Sequence, residues 1–163
     1  MERLLLAMME YDRGDAKRIQ HFLKVYEFAR MIGKMEKLDA HTQFILESAA
    51  VVHDIGIHNA EKKYGSSAGP YQEKEGELEA RKLLSELQWP ADVTERVAYL
   101  VGHHHTYSEI DGPDYQILVE ADFLVNLYEN DNSEESRRHA YEHIFRTESG
   151  KRLFCLLFQK TDR

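Results

Sequence analysis

Between Phe44 and His58 the chain reads FILESAAVVHDIGIH, and this stretch constrains the fold more than any other. Its apolar residues, among them Phe44, Ile45, Ala49 and Val52, recur at helical spacing, and Gly56 marks a place where such a helix can stop. The apolar helix ends on His53-Asp54. An imidazole and a carboxylate in that position are costly to bury unless something binds them. Both are good ligands for transition metals, so an ion is the simplest partner. The fold must then bring further ligands to the end of this helix.

Three prolines, at 70, 90 and 113, and few alternating β-branched runs predict an almost wholly helical chain. With 163 residues and neither repeat nor linker, a single domain spanning residues 1–163 is expected. Helices are predicted over about 2–10, 16–32, the opening stretch, 72–87, 92–101, 115–128, 133–145 and 150–158. Gly33 is expected to end the second, and Asp39 and Ser133 to cap the third and seventh. Asp92-Val-Thr-Glu95 has capping-box spacing. Residues 56–73, GIHNAEKKYGSSAGPYQE, read as a long irregular loop that could close over a substrate.

Charge and composition exclude several classes. The net charge of −8 argues against a general nucleic-acid-binding surface. No apolar run approaches the ~20 residues of a membrane span. The start, MERLLLAMMEYDRGD, reads as a first amphipathic helix rather than a signal peptide. The single cysteine, Cys155, is compatible with a reducing compartment, so the cytoplasm is expected. Apolar residues in the terminal helices could form a homodimer surface or be buried within one copy.

Nine histidines is about twice what ordinary composition supplies. His21 lies on an apolar helix face, His53-Asp54 ends the third helix, His103-His104-His105 ends the fifth, and Asp122 interrupts the apolar LVEADFLVNL. Each has an ordinary reading alone: a hydrogen-bonded core histidine, a polar pair or a histidine run at a helix C-terminus, a carboxylate paired in the core. Four successive apolar faces carrying His, His-Asp, His and Asp in order are harder to dismiss.

These pieces resemble the HD-domain superfamily of metal-dependent phosphohydrolases. The resemblance is carried by RIQHFLKVYEFA, ESAAVVHDIG, ERVAYLVGHHH and QILVEADFLVNL, over about residues 16–128. It implies an all-α helical bundle in which His21, His53, Asp54 and Asp122 hold one divalent ion, whether Mn, Fe, Co, Ni, Zn or Mg. It also implies hydrolysis of a small phosphorylated molecule, such as a nucleotide, by a metal-bound hydroxide. Asp54 could in addition bridge to a second ion or orient the attacking water.

One position departs from the family. Members with two metals commonly carry a histidine four residues before a glycine at the start of the next helix; here the glycine is Gly76 and that position is Gln72. A single ion is therefore expected, with room for a weaker second one. His104 is the best match to the family's next histidine, contacting substrate or water, with His103 the fallback. Arg18, less than a turn before His21, and the loop residues Lys62 and Lys63 are candidate phosphate binders. His58, Glu73 and Glu75 compete as general acid, and Tyr64 and Tyr71 could stack on a base. Two other readings are a regulatory module that binds metal or nucleotide without turnover and an iron-dependent oxygenase of HD type. The second needs a fuller dinuclear site, against which Gln72 argues.

Overall fold

The computed structural model describes residues 1–159, and among these the chain forms nine α-helices and no strand. They are α1 (Glu2–Tyr11), α2 (Ala16–Met35), α3 (Ala40–Val52), α4 (Ile57–Tyr64), α5 (Gly69–Glu86), α6 (Ala91–Val101), α7 (Pro113–Glu129), α8 (Glu134–His143) and α9 (Glu148–Phe158). Among the described residues no helix is long and apolar enough to cross a membrane.

Short polar side chains set several of the helix starts. Asp15 accepts from the Arg18 N–H, Asp39 from those of His41 and Thr42, and Ser133 from that of Ser136. Each satisfies donors that the first helical turn leaves without partners. The capping box at Asp92 does not form. Pro90 occupies the cap position of α6, so Asp92 and Glu95 already lie in the helix and turn to His41 and Arg81 on its neighbours.

Two other sequence expectations are corrected. α2 runs through Gly33 to Met35, because a Cβ at Gly33 would collide with Gln43 and the missing side chain lets α3 approach. Residues 57–64 are helix, and only Gly65 to Ala68 separate α4 from α5. The amphipathic face of IHNAEKKY packs on α5, burying Ala60, and Gly65 ends the helix in the left-handed conformation. At this corner Gly56 meets Gly76: a Cβ on Gly56 would run into the Gln72 carbonyl and the Gly76 backbone.

α2 packs between α3 and α7, α3 also rests on α6, and α5 lies against α4 and α6. Phe22, Val25, Ala29 and Ile32 form the buried stripe of α2, and α3 is closed off from Leu46 to Val52 apart from Glu47. Burying a side chain of this size is worth about 1.5–3 kcal/mol. The buried faces of three helices in mutual contact therefore form the core, and His21, His53 and Asp122 are set into it. α9 buries Leu153 and Phe154 but leaves Leu156 and Leu157 exposed.

Candidate metal centre

His53 follows the last residue of α3, His21 sits one turn into α2, and Asp122 lies in the middle of α7. Packing of those helices brings the three together, and Asp54 joins them from the turn after α3. His21 Nε2 lies 3.2 Å from His53 Nε2, 3.2 Å from Asp122 Oδ1 and 3.5 Å from Asp54 Oδ2. His53 Nε2 is 3.5 Å from each of the same carboxylate atoms.

Those distances test whether the set suits an ion. Bonds of about 2.0–2.1 Å to a common metal put ligand atoms roughly 3.0–3.4 Å apart, close to the spacing found. Second partners fix the rings as well. His21 Nδ1–H donates to Glu129 Oε2 at 2.9 Å, and Lys24 holds the other oxygen of Glu129 at 2.6 Å. His53 Nδ1–H donates to the Ala50 carbonyl at 2.9 Å. A metal-ligating histidine is ordinarily held in this way, with its other nitrogen free for the ion. Asn126 donates to Asp122 Oδ1 at 2.8 Å.

The electrostatics agree. Burial alone would raise the carboxyl of Asp54, but the imidazoles of His53 and His104 beside it hold it well below the carboxylate range. Asp122 is likewise held low against burial, by hydrogen bonds from His21 and His53. For His21 burial acts downward, yet Asp122 and Asp54 lift it to about 9. Two carboxylates that stay ionised in a buried pocket demand a cation, and without metal the imidazoles supply it.

A second group shares Asp54. His104 is buried, its Nδ1–H donates to the Val101 carbonyl at 2.8 Å, and its Nε2 lies 3.5 Å from Asp54 Oδ1 with no hydrogen-bond partner. An imidazole nitrogen so placed is free to bind an ion. His105 stands beside it, ring centroids 4.0 Å apart. The groups His21–His53–Asp54 and Asp54–His104–His105 could each hold a metal ion. His105, not His103, is thus the second histidine of the run to face Asp54.

His21, Asp54, Asp122 and His105 line a cleft of about 370 Å³, bordered also by Lys17, Arg18 and Gln72, with His53 and His104 buried behind them. Several candidates are placed elsewhere. His103 Nδ1–H donates to the Tyr99 carbonyl at 2.7 Å and its ring stacks on Tyr99, which turns it away from Asp54. Glu73 accepts from the His105 N–H and the Thr106 hydroxyl, bracing the histidine turn instead of facing the cleft. Lys63 is tied to Glu75 at 2.5 Å, and neither Lys62 nor Lys63 borders the cleft. Tyr64 and Tyr71 stack on each other at 4.4 Å.

Arg18 borders the cleft but is heavily committed: Nη1 donates to His58 Nδ1 at 2.9 Å, Nη2 to Glu61 at 2.7 Å, and Nε faces Asp15 at 3.4 Å. His58 is in turn held by the buried carboxylate of Asp12, 2.9 Å from Nε2. Both ring nitrogens of His58 are therefore spent on protein partners, which removes the free proton a general acid needs.

The sequence reading missed His105, Glu129 and Lys17. A signal for Glu129 was present: Asp122, Asn126 and Glu129 sit at helical spacing, a polar line on an otherwise apolar helix.

A family model described as HD domain matches residues 18–145. The fold is similar to that of a predicted HD superfamily hydrolase from an uncultured Thermotogales bacterium, solved by crystallography, with a TM-score of 0.69. Identity to that chain is 21%, over 97% of this chain and 84% of the other. No curated protein matches.

Proposed function

The chain belongs to the HD-domain family, and on that premise we propose that it is a metal-dependent phosphohydrolase acting on a small phosphorylated molecule. The observation that carries this reading is the convergence of two imidazole nitrogens and two carboxylate oxygens, of which His21, Asp54 and Asp122 line an open cleft and His53 lies buried behind them. These four would hold a divalent ion. When bound, such an ion lowers the pKa of water towards neutrality and draws charge from a phosphoryl oxygen.

The chain's own groups would do the rest. Glu129 and the Ala50 carbonyl keep the two imidazoles aimed. Asp54 faces both donor groups and is the residue best placed to accept a proton from an attacking water. His104 Nε2, directed at Asp54, is available to a substrate oxygen or to a second ion. Lys17 supplies positive charge at the rim. The lone Cys155 suits a reducing compartment, and the cytoplasm is the expected place of action.

The test is phosphate release from a broad panel of phosphoesters by full-length protein loaded with Mn, Co, Ni or Mg in turn. Turnover that disappears in Asp54→Asn supports the reading. A metal-loaded protein that releases no phosphate from any ester sinks it and favours a regulatory module.

A dinuclear centre is the second reading, favoured by the Asp54–His104–His105 group. His105 stands where the sequence left only Gln72, so Gln72 no longer weighs against two ions or against oxidation at iron. Metal analysis giving two equivalents per chain, reduced to one in His105→Ala, decides for it.

A further inference from the structure

The cleft's walls narrow the substrate class, and the inference below rests on the phosphohydrolase reading. Ile57 is the one aliphatic side chain bordering the cleft among the described residues. A base is ordinarily gripped by stacking on an aromatic or guanidinium face. Tyr64 and Tyr71 spend their faces on each other and do not border the cleft. The His105 ring packs against His104, and the Arg18 guanidinium is tied to three neighbours. Among the described residues no Trp, Tyr or Phe ring borders the cleft, so a base finds no large aromatic face there.

What the cleft does offer is unspent hydrogen-bonding capacity. Among the described residues the Asn130 amide, the Ser67 hydroxyl and the Lys17 ammonium have no side-chain hydrogen bond or ion pair, and all three border the cleft. Asn126 commits its amino group to Asp122 and leaves its carbonyl oxygen free. Asn126 and Asn130 follow Asp122 by four and eight residues, about 6 and 12 Å along the axis of α7. A phosphate held at the donor cluster would thus have its organic part lying along two amides. An amide donates and accepts, as a hydroxyl does, so a row of amides suits a row of hydroxyls.

We propose that the cleft takes the monophosphate of a polyhydroxylated carbon skeleton, a sugar or polyol phosphate, with Lys17 binding the phosphate and Asn130 and Ser67 reading its hydroxyls. Arg18, neutralised by Asp15 and Glu61, acts as scaffold for the rim.

The experiment compares sugar and polyol monophosphates with nucleoside monophosphates on the metal-loaded full chain. Both kcat/KM and the rise in unfolding temperature on ligand addition are read. Sugar or polyol phosphates are expected to exceed every nucleotide by about tenfold or more in kcat/KM. Asn130→Ala and Ser67→Ala should each raise their KM about threefold to tenfold, with kcat and metal content unchanged. Lys17→Ala should raise KM for every ester. A preference for nucleotides, or an Asn130→Ala variant with unaltered KM, overturns this inference and leaves the phosphohydrolase reading standing. If no ester is hydrolysed, that reading fails and the thermal measurement decides the present one. Stabilisation by sugar phosphates that is lost in Asn130→Ala supports it, and none, or stabilisation by nucleotides instead, overturns it.

Discussion

The Nε2 atoms of His21 and His53, 32 residues apart in the chain, lie 3.2 Å from one another. Two neutral imidazoles held by their Nδ1–H groups would present lone pair to lone pair at this distance, so the contact needs a proton or a metal ion between the two nitrogens. The fold accepts the arrangement because each ring is pinned from behind, His21 by Glu129 and His53 by the Ala50 carbonyl.

Glu129 should therefore govern metal affinity without touching the metal. Glu129→Ala frees the His21 ring and leaves Lys24 unpaired, and is expected to weaken metal binding about 10- to 100-fold. His53→Ala should abolish binding at this group. Competition against a chelator of known affinity measures both, and equal affinity in Glu129→Ala and the parent protein would refute the role.

Metal-free protein should lose stability as pH rises from about 6.5 to about 9. His21 is lifted in the folded state, so its contribution is complete below the unfolded imidazole value and disappears as pH passes the folded one. Asp54 and Asp122 are depressed, so their contribution is present above the unfolded carboxylate value and lost only as pH falls through their folded values in acid. Metal must displace the His21 proton, so stabilisation by metal should grow over the same interval in which the metal-free protein weakens. Thermal unfolding at several pH values, with chelator and with saturating manganese, checks the opposite signs.

Gly56→Ala should destabilise by about 1–3 kcal/mol, because its Cβ would press on the Gln72 carbonyl and the backbone of Gly76. Gly76→Ala meets instead one methyl of Val101 and stays clear of close backbone contact, and should cost less. Urea denaturation of the two variants gives the order. As Gly56 sets α4 against α5, the first substitution should also disturb Gln72 and His105 at the cleft.

Glu120 should prove a main anchor of the C-terminal helices. Fully buried, it accepts from the N–H groups of Arg146 and Thr147, the Thr147 hydroxyl and the Gln116 amide. Glu120→Ala strands these donors and is expected to cost about 3 kcal/mol or more. Metal content should be unaffected, since α2, α3 and α7 still meet. Denaturation midpoint and metal analysis separate the two effects.

Much of this molecule was legible before folding. Apolar periodicity foretold the central helices, because burying one face is what makes a helix stable in water. His21, His53, Asp54 and Asp122 stood out as polar residues on faces that had to be buried. Local chemistry also announced Asp39 and Ser133 as caps.

The errors share one cause. Whether His103 or His105 turns towards Asp54 depends on how the chain leaves α6, where the Tyr99 carbonyl and ring capture His103. Residues 57–64 look irregular by themselves and are helical because α5 covers their apolar face across the Gly56–Gly76 contact. Arg18 reads as a free phosphate binder until His58 and Glu61 arrive from 40 and 43 residues away to occupy it. Residue types and their spacing record which groups must be buried, whereas the partners that saturate or release each one come from distant helices and exist only once those helices pack.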